Sequence, residues 1–326
     1  MHLAFALPPP AETGGGGGAD YISGLADGLR CLGVRVDILT GNAPVFPSAA
    51  IPIVDGMLLP RLQDRLEELV RADAVALIHH IAAASGRDDV ARARTLSVER
   101  AMLMRLRRVV ATSAPVAERL HAEFAVSASA VPPGMRDAAL ASPDPKAPLI
   151  LSAGVLTRRK GHDRLLQTVS RLLDLPWHLV IAGDSQREPA YVSELLQQVH
   201  DLALAARVTV LADPPPEALE HQWRHATVFA LASRWEGYPT AVAEAMQRGI
   251  PALVTAGANA DGLLPPEAGA ITPPDDMATF GKCLRRVLFD GDLRHDMAEA
   301  ARAAGQALPR WIDRARQFLD LLESKP

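Results

Sequence analysis

Short apolar runs alternate with amphipathic stretches along the whole chain, and this alternation constrains the fold more than any other feature. Runs of this kind predict buried parallel strands, because both faces of a parallel sheet are covered by other elements. The amphipathic stretches between them predict the covering helices. A repeated strand–helix rhythm therefore predicts an α/β protein built on parallel sheets.

The rhythm breaks once, at 138–148, where three prolines stand close together. A proline-rich stretch of this kind predicts a linker. The chain has 326 residues, which is long enough for two domains. We therefore expect an N-terminal Rossmann-like domain at 1–140, a C-terminal one at 149–308 and a closing helix at 309–326.

The pattern also predicts individual elements. In the first half the predicted strands are near 2–7, 34–39, 73–79 and 107–112, and the helices near 19–32, 61–71, 90–105 and 114–124. In the second half the strands are near 149–153, 178–182, 207–211, 227–231 and 252–255. The helices there are near 162–173, 188–201, 216–223, 239–248, 277–289, 292–304 and 310–323.

Composition narrows the function classes. The net charge of -4 and the 4% aromatic content argue against a nucleic-acid-binding protein. No window is long and apolar enough for a membrane span, and Met1–Leu7 reads as a first strand, so we expect a cytoplasmic protein. Cys31 and Cys283 have no metal-ligand or disulfide spacing, so we expect no metal site.

The most informative segment runs from Ser233 to Met246 and passes from the end of a predicted strand into a helix. Pro239 suits the first helical position, where its missing N–H is not needed. Glu236 then lies on the loop before the helix, and Glu244 lies on its second turn. The loop amides and the positive helix end suit a phosphate, and a nearby carboxylate can bind a vicinal diol. A phosphate beside a diol describes a nucleotide.

This pair of glutamates, in the setting SRWEGYPTAVAEAMQRGIP, resembles the signature of glycosyltransferase family 4. The resemblance implies the GT-B fold, in which the parallel sheets of two Rossmann-like domains face each other across a cleft. In this fold a C-terminal helix packs back on the first domain. The resemblance implies that Glu244 binds the ribose and that Glu236 lies by the donor sugar. It also implies contacts to the sugar and diphosphate from Gly237, Tyr238, Pro239 and Thr240. The alternative is a pair of solvated helix carboxylates.

A second segment, Gly154–Leu166, places a glycine, a basic cluster and a helix after a strand. It resembles the diphosphate-binding segment of the same family, which implies that Lys160 contacts the diphosphate and that Gly154 approaches it closely. The family's arginine after the glycine is Val155 here. Arg158 or Arg159 could supply the missing cation. The alternative is a solvated basic loop.

Two further loops complete the predicted donor site. Gly183 follows the second strand of the C-terminal half and looks like part of the family's second loop. The glycine run 14–18 resembles the family's N-terminal pattern, and the family's pair of glycines corresponds to Gly16 and Gly17. A dinucleotide fingerprint fits this run less well, since no GxGxxG is formed. Near the end of the third predicted strand we favour His80 over its neighbour as a catalytic residue, with a structural histidine as the alternative.

The segment Arg92–Arg108 interleaves arginines with apolar residues. Many relatives work on lipid-linked acceptors, so one interpretation is a peripheral contact with the inner face of the membrane. The other is a core-facing helix with a solvated side, which we favour.

The resemblance thus implies a retaining glycosyltransferase that moves a sugar from a nucleoside diphosphate sugar to a hydroxyl of a glycan, lipid-linked or small-molecule acceptor. Its expected catalytic residues are Glu236, Lys160 and His80, and neither a separate cofactor nor a metal is expected. Rival interpretations are an epimerase or phosphorylase of the same fold. The rival from another class is a non-catalytic glycosyltransferase-like subunit that binds a sugar nucleotide or a partner enzyme, an interpretation that Val155 favours.

Overall fold

A computed structural model, which describes residues 1–9, 17–79, 81 and 89–324, divides the chain into two compact units. Met1–Gly134 and Pro309–Pro326 form the first, here called the N-unit, and Met135–Leu308 forms the C-unit. Each unit contains one six-stranded sheet in the described part of the chain, and every recorded strand pair is parallel. The predicted α/β architecture of two parallel sheets is confirmed.

In the N-unit the strand order is β2-β1-β3-β4-β5-β6. The strands are β1 His2–Leu7, β2 Arg35–Thr40, β3 Ile51–Asp55, β4 Val75–Ile78, β5 Arg108–Ala111 and β6 Ser129–Ala130. The helices are α1 Gly17–Cys31, α2 Leu66–Arg71, α3 Asp89–Leu103 and α4 Ala114–Phe124, with a 3-10 segment at Leu59–Arg65.

In the C-unit the order is β12-β11-β10-β7-β8-β9. The strands are β7 Leu149–Ala153, β8 His178–Gly183, β9 Val208–Ala212, β10 Val228–Leu231, β11 Ala252–Thr255 and β12 Gly269–Thr272. The helices are α5 His162–Val169, α6 Pro189–Asp201, α7 Pro216–His225, α8 Thr240–Gln247, α9 Met277–Phe289 and α10 Gly291–Gln306. Read from β9, this is the doubly wound order of dinucleotide-binding domains.

Alternate residues of each C-unit strand enter different cores, because successive side chains of a strand point to opposite faces. Ile150 packs with residues of α5, α6 and α9, whereas its neighbour Leu151 packs with residues of α7, α8 and α10. The sheet is therefore covered on both faces, and α5 and α8 lie on opposite sides of it. This arrangement explains why the strands read as continuous apolar runs.

Local sequence signals set several helix starts. Ser113, Asp276 and Asp290 each accept a hydrogen bond from a backbone N–H in the first turn of α4, α9 and α10. Such caps satisfy donors that have no partner within the helix. Prolines occupy the first turn of α4, α6 and α7, where a missing N–H costs nothing.

Three strands were missed by the sequence pattern: β3, β6 and β12. β3 contains Pro52 yet pairs with β1 on one side and β4 on the other. A proline removes a donor from the ladder, so the pattern argues against an internal strand here. β6 is only two residues long and β12 begins at Gly269, so both lack a clear apolar run.

The last helix, α11 Trp311–Glu323, packs on α1 within the N-unit, as predicted. A side chain at Gly24 would lie 2.1 Å from the Trp311 ring, so only glycine leaves room for the indole. The Phe318 ring is fully buried, with its centroid 6.3 Å from that of Phe5 in β1. This helix completes the N-unit core, although it follows the C-unit in sequence.

None of the described helices is long and apolar enough to cross a membrane. Around α3, the arginines that follow the helix pair with acidic groups: Arg105 with Glu67 at 2.6 Å and Arg108 with Asp73 at 2.8 Å. Met102 and Leu103 are buried. These contacts agree with the core-facing interpretation that we favoured.

The proline-rich segment belongs to the C-unit, because the boundary between the units lies at Gly134–Met135. There Ala141 donates its N–H to the Arg248 carbonyl at 2.9 Å and Ser142 donates to the Arg224 carbonyl at 2.7 Å. The segment is thus held against the C-unit by backbone bonds.

Candidate functional site

The loops that follow β7 and β10 meet at the point where the strand order of the C-unit reverses. β7 and β10 are neighbours in the sheet, but the chain leaves them for helices on opposite faces. Such a switch point leaves a crevice at the carboxyl ends of the strands, which is where ligands bind in doubly wound sheets. The predicted segments 154–161 and 233–244 both lie there.

At this point the Glu236 carboxylate is held by three side chains. Lys160 Nζ lies 2.8 Å from Oε1, Ser233 Oγ donates to Oε1 at 2.6 Å, and Arg159 donates to Oε2 at 2.7 Å. Only 4% of Glu236 is exposed. A buried carboxylate is stable only when its charge is paired and its oxygens are hydrogen-bonded, and both conditions are met here.

These contacts decide the charge of Glu236. Burial by itself would raise its pKa, but the charges of Lys160 and Arg159 and the bonds from Lys160 and Ser233 outweigh burial and hold the pKa below its usual value. Glu236 is therefore ionised at neutral pH. It can stabilise positive charge or accept hydrogen bonds, but it cannot act as a general acid.

The two predicted arginines point to different places. Arg159 donates to the Trp235 carbonyl at 2.6 Å as well as to Glu236, and 42% of its side chain remains exposed. Arg158 pairs instead with Glu194 and lies over the Tyr191 ring, 5.4 Å from its centroid. The structure therefore brings Arg159 and Lys160 together on Glu236 and leaves Arg158 outside this group.

Backbone contacts join the same two loops. Arg234 N–H donates to the Arg159 carbonyl at 2.8 Å, and the Arg234 guanidinium pairs with Asp163 at the start of α5. Gly161 has a φ of +68°, and a side chain there would lie 2.0 Å from the Ala232 carbonyl oxygen. Glycine at 161 is thus required both by the left-handed turn and by the close approach of the loops.

Gly154 and Gly183 end β7 and β8 side by side. A side chain at Gly183 would lie 1.9 Å from the Gly154 carbonyl oxygen, and one at Gly154 would lie 3.0 Å from Lys160 Cε. Lys160 therefore lies directly over the bare backbone at Gly154, and only 12% of its side chain is exposed. Gly154 thus makes room for the lysine, and Gly183 makes room for the backbone of Gly154.

Helix α8 begins at Thr240, one residue later than predicted. Pro239 has a ψ of 63°, which is not helical, and its carbonyl accepts bonds from the Val242 and Ala243 amides. Pro239 is thus the residue before the helix, not its first residue, because its carbonyl starts the helical bonds while its own backbone remains outside. Glu244 lies on the second turn and is half-buried.

The segment Gly237–Thr240 connects Glu236 to α8. The sequence prediction placed Gly237, Tyr238, Pro239 and Thr240 together at the donor site, and the structure places all four between the carboxylate and the helix start. Tyr238 and Thr240 are partly exposed, whereas Pro239 is buried.

Sequence reasoning missed several residues that position this site. The Asn259 amide donates to the Glu236 carbonyl, and Thr255 Oγ1 donates to the Ser233 carbonyl at 2.6 Å. Thr255 ends β11 and Asn259 lies in the loop after it, whose sequence carries no recognisable motif. The signal that could have found them is the position of this loop after a strand next to β10.

A buried histidine behind Lys160 was also missed. His162 is fully buried, and its Nδ1 lies 3.2 Å from Ser152 Oγ. Burial and the Lys160 charge lower its pKa to about 4, so the ring is neutral at neutral pH. It therefore adds no charge behind the cations.

In the N-unit, Gly17 is the first residue of α1, while Gly16 and His80 lie outside the described residues. His79, the neighbour that the sequence analysis did not favour, directly follows β4. Its Nε2 atom lies 3.5 Å from Asp55 Oδ2. Its ring also lies edge-on to Tyr21 at 5.1 Å. Burial lowers the pKa of His79 to about 4.

Among the described residues, no group of three or more His, Cys, Asp or Glu side chains could hold a metal ion. The charged groups at the β7–β10 switch are instead two cations and one carboxylate. Such an arrangement has an excess of positive charge and is suited to an anionic ligand.

Known proteins resemble the chain in sequence over about half of its length. A D-inositol 3-phosphate glycosyltransferase from Xylanimonas cellulosilytica is 32% identical over 177 residues, which are 53% of this chain and 42% of that protein. The chain spans less than half the length of this relative and of the amylovoran biosynthesis glycosyltransferase AmsD from Erwinia amylovora.

Solved structures resemble the chain over its whole length. A sucrose-phosphate synthase from Thermosynechococcus elongatus has a TM-score of 0.82 at 19% identity, covering 99% of this chain and 98% of that one. HepE from Anabaena, solved in complex with UDP-glucose, has a TM-score of 0.77 at 16% identity, covering 100% of both chains. At these identities the likeness establishes the fold, which is GT-B.

The family model described as glycosyl transferases group 1 matches residues 139–304. This range covers slightly more than half of the chain and contains Lys160, Arg159, Glu236 and Glu244. The matched range, the fold and the clustered cations at the switch point agree, and the chain belongs to the group 1 glycosyl transferase family.

Proposed function

We propose that the protein is a retaining glycosyltransferase of family 4 that moves a sugar from a nucleoside diphosphate sugar to an acceptor hydroxyl. The observation that carries this proposal is the buried Glu236 carboxylate held by Lys160 and Arg159 at the switch point of the C-unit. Acceptors in keeping with the family are glycans, lipid-linked sugars and small molecules, and a cytoplasmic location suits a nucleotide-sugar donor.

The two cations would hold the diphosphate. Lys160 and Arg159 together carry two positive charges against one negative charge on Glu236, so one positive charge is left for an anion. Arg159 is the better exposed of the two and takes the part of the family arginine that is Val155 here. Negative charge grows on the diphosphate as the glycosidic bond breaks, so these fixed cations stabilise the transition state more than the ground state.

Glu236 would orient the donor sugar and stabilise the positive charge that develops at its anomeric carbon. This role requires an ionised carboxylate, which the lowered pKa of Glu236 supports. Ser233 and the Asn259 amide position this residue from its other sides. The Glu236 carboxylate is already committed to Lys160 and Arg159, which argues against a role as covalent nucleophile.

The nucleotide would lie along the start of α8. The loop that leads into α8 and the positive end of the helix suit the phosphates, and Glu244 would accept hydrogen bonds from the ribose hydroxyls. Gly154 would act through Lys160, which occupies the space beside it, and Gly183 would act through the Gly154 backbone, which packs against it. Gly16, Gly17 and His80 stay predicted donor-site residues of the N-unit.

In the proposed reaction the bond between the anomeric carbon and the diphosphate oxygen breaks, and its electron pair stays on the diphosphate. The acceptor oxygen forms the new bond on the same face of the sugar, and its proton passes to the departing phosphate oxygen. No metal is needed in this scheme, since cations and helix ends supply the positive charge. We therefore expect activity to survive EDTA.

One observation favours a second candidate function. Val155 replaces a cation of the family pattern, so a glycosyltransferase-like subunit that binds a sugar nucleotide without turnover is the alternative. The exposed guanidinium of Arg159 argues against it, because this group supplies the missing charge from the same loop.

The decisive experiment is isothermal titration with UDP, GDP, ADP and dTDP, starting with UDP because HepE was solved with UDP-glucose. We expect one nucleotide to bind the wild type at micromolar strength and at least about tenfold more weakly to Glu244→Ala, a loss of about 1.4 kcal/mol. Glu217→Ala, an exposed glutamate on α7, is the matched control and should bind like wild type.

The arginines provide a second, sharper comparison. Arg159→Gln should weaken nucleotide diphosphate binding by about tenfold, whereas Arg158→Gln should leave it nearly unchanged, because only Arg159 reaches Glu236. Binding followed by transfer to an acceptor supports the enzyme. Binding without turnover or donor hydrolysis would favour the non-catalytic subunit, and no binding by any nucleotide would refute both functions.

A further inference from the structure

A cavity of about 260 Å³ lies in the C-unit, away from the Glu236 site. Its walls come from the segment 140–143, the residues just before β10 and β11, and α10 from Gly291 to Arg302. Ala226, Thr227 and Pro251 mark the starts of β10 and β11, whereas the Glu236 site lies at their ends. The starts and the ends of parallel strands lie on opposite sides of the unit, so the cavity is separate from the Glu236 site.

Most of the charged side chains that line the cavity are basic. Arg248, Arg294, Arg302 and His295 line the cavity, and Glu299 is the carboxylate among the lining residues. This excess of positive charge occurs in a chain whose net charge is -4. A concave surface with one sign of charge concentrates ions of the opposite sign.

Two of these arginines keep unused capacity. Arg302 has no hydrogen bond or ion pair with any described residue, although it is partly buried. Arg248 pairs with Glu220 at 2.7 Å, but its Nε is buried and has no partner among the described groups. An anion that reached Arg302 would not have to displace a protein partner among the described residues.

The third arginine is bonded but its charge is not neutralised. Arg294 donates to the carbonyls of Val287 and Leu288 at 2.8 and 3.1 Å, and no described carboxylate pairs with it. Beside it, Gly291 begins the sixteen-residue helix α10 and also lines the cavity. A helix N-terminus carries partial positive charge and favours an anion, although Asp290 and Asp292 at this end reduce the effect.

Apolar side chains also line the cavity. Leu140 and Pro143 of the proline-rich segment face the cavity together with Pro251 and Ala298. The space corresponds to about nine water molecules at roughly 30 Å³ each, which is enough for a small molecule. A ligand with a charged group and a short carbon skeleton matches this mixed lining.

We propose that this cavity binds a small phosphate monoester, with the phosphate on Arg302, Arg248 and Arg294 and the carbon skeleton against the 140–143 segment. Arginine presents donors in a planar fork that suits phosphate oxygens. The proposal does not depend on the transferase activity.

Binding can be measured by titrating the full chain with glycerol 3-phosphate, using glycerol as the uncharged control. We expect binding of glycerol 3-phosphate that weakens about tenfold in Arg302→Gln and is largely kept in Arg302→Lys. Arg171→Gln removes an exposed arginine of the same unit outside the cavity and should bind like wild type. His295→Asp, an exposed change that leaves folding intact, should weaken binding by adding a negative charge at the rim.

Location is measured by hydrogen–deuterium exchange on the same complexes. Binding should protect peptides that cover 139–145 and 291–302 in the wild type and not in Arg302→Gln. Equal affinities of Arg302→Gln and Arg171→Gln would overturn the proposal. Protection confined to 154–161 and 234–240 would also overturn it, because the phosphate would then occupy the Glu236 site.

Discussion

The N-unit and the C-unit share a six-stranded parallel sheet, but charged side chains gather at very different places in the two. In the C-unit, the loops after β7 and β10 bring two cations and a buried carboxylate together. In the N-unit, Asp55 ends β3 and His79 follows β4, and His79 Nε2 lies 3.5 Å from Asp55 Oδ2. The same architecture therefore hosts different chemistry, because function depends on the loops and not on the sheet.

The two units also differ in how their cores are closed. The C-unit covers its sheet with helices that follow one another in sequence. The N-unit needs α11, which follows the whole C-unit and places Phe318 and Leu322 in the N-unit core. The chain thus leaves its first unit and returns to complete it, so the stability of the N-unit depends on the far end of the sequence.

The largest expected effect tests this dependence. Phe318→Ala should lower the free energy of unfolding by about 3–5 kcal/mol, because it removes a fully buried ring and leaves a cavity beside Phe5. Phe289→Ala is the matched control, since that ring is 79% exposed and its removal should change the value by less than about 0.5 kcal/mol. Urea unfolding measures both, and equal losses would show that α11 is not part of the N-unit core.

The next effect tests the cationic loop of the C-unit. Lys160→Ala should reduce sugar transfer by about 100-fold, the scale seen when one fixed group that stabilises transition-state charge is removed. Lys282→Ala removes an exposed lysine on α9 and should leave the rate unchanged. Initial rates at saturating acceptor provide the comparison, and similar rates for the two variants would remove Lys160 from the proposed mechanism.

A third test compares the buried histidines, His79 in the N-unit and His162 in the C-unit. Burial is the first cause that lowers the pKa of each to about 4, against 6.5 for an ordinary histidine. Between these pH values the unfolded chain binds more protons than the folded one. The contribution of each neutral histidine to the free energy of unfolding is therefore fully present above pH 6.5 and is lost as the pH falls toward 4. Each histidine should reduce the free energy of unfolding by on the order of 2 kcal/mol between pH 7 and pH 5.

Urea unfolding of His79→Gln at the two pH values isolates the N-unit contribution. The difference in the free energy of unfolding between pH 7 and pH 5 should be smaller than in the wild type, by on the order of 2 kcal/mol. His200→Gln is the control, because the His200 side chain is 84% exposed. An unchanged pH difference in His79→Gln would mean that His79 titrates normally.

The smallest effect concerns the fine positioning of Glu236. Ser233→Ala removes the bond from Oγ to the carboxylate at 2.6 Å but leaves both cations in place. We expect roughly tenfold slower transfer with nearly unchanged nucleotide affinity, because a hydrogen bond to a charged group contributes about 1.5 kcal/mol or more. Equal losses in rate and nucleotide affinity would point to a binding role instead.

Much of the fold follows from local pattern. The apolar runs predicted β7 and β11 at their observed bounds, and β1 and α4 likewise. The bounds of the strands can be predicted because a strand that is buried on both faces requires an unbroken apolar run. The bounds of α4 follow from its amphipathic pattern. β3 was missed because Pro52 is unfavourable in an internal strand, and its place was decided by the neighbours β1 and β4.

The sequence alone predicted which segments carry the candidate site. Glu236, Glu244 and Lys160 stand after predicted strands, and strand ends must converge at one edge of a parallel sheet. It could not choose between Arg158 and Arg159, which are adjacent in a single 3-10 turn. A 3-10 turn has about three residues, so neighbouring side chains leave it in different directions.

Only the tertiary structure decided that choice. The carboxylate of Glu236 lies on the Arg159 side of the turn, and Glu194 lies on the Arg158 side. Likewise, no pattern in the sequence indicates that Gly24 receives the Trp311 ring. Local sequence sets backbone rhythm over a few residues, whereas contacts between distant segments depend on where the whole chain places them.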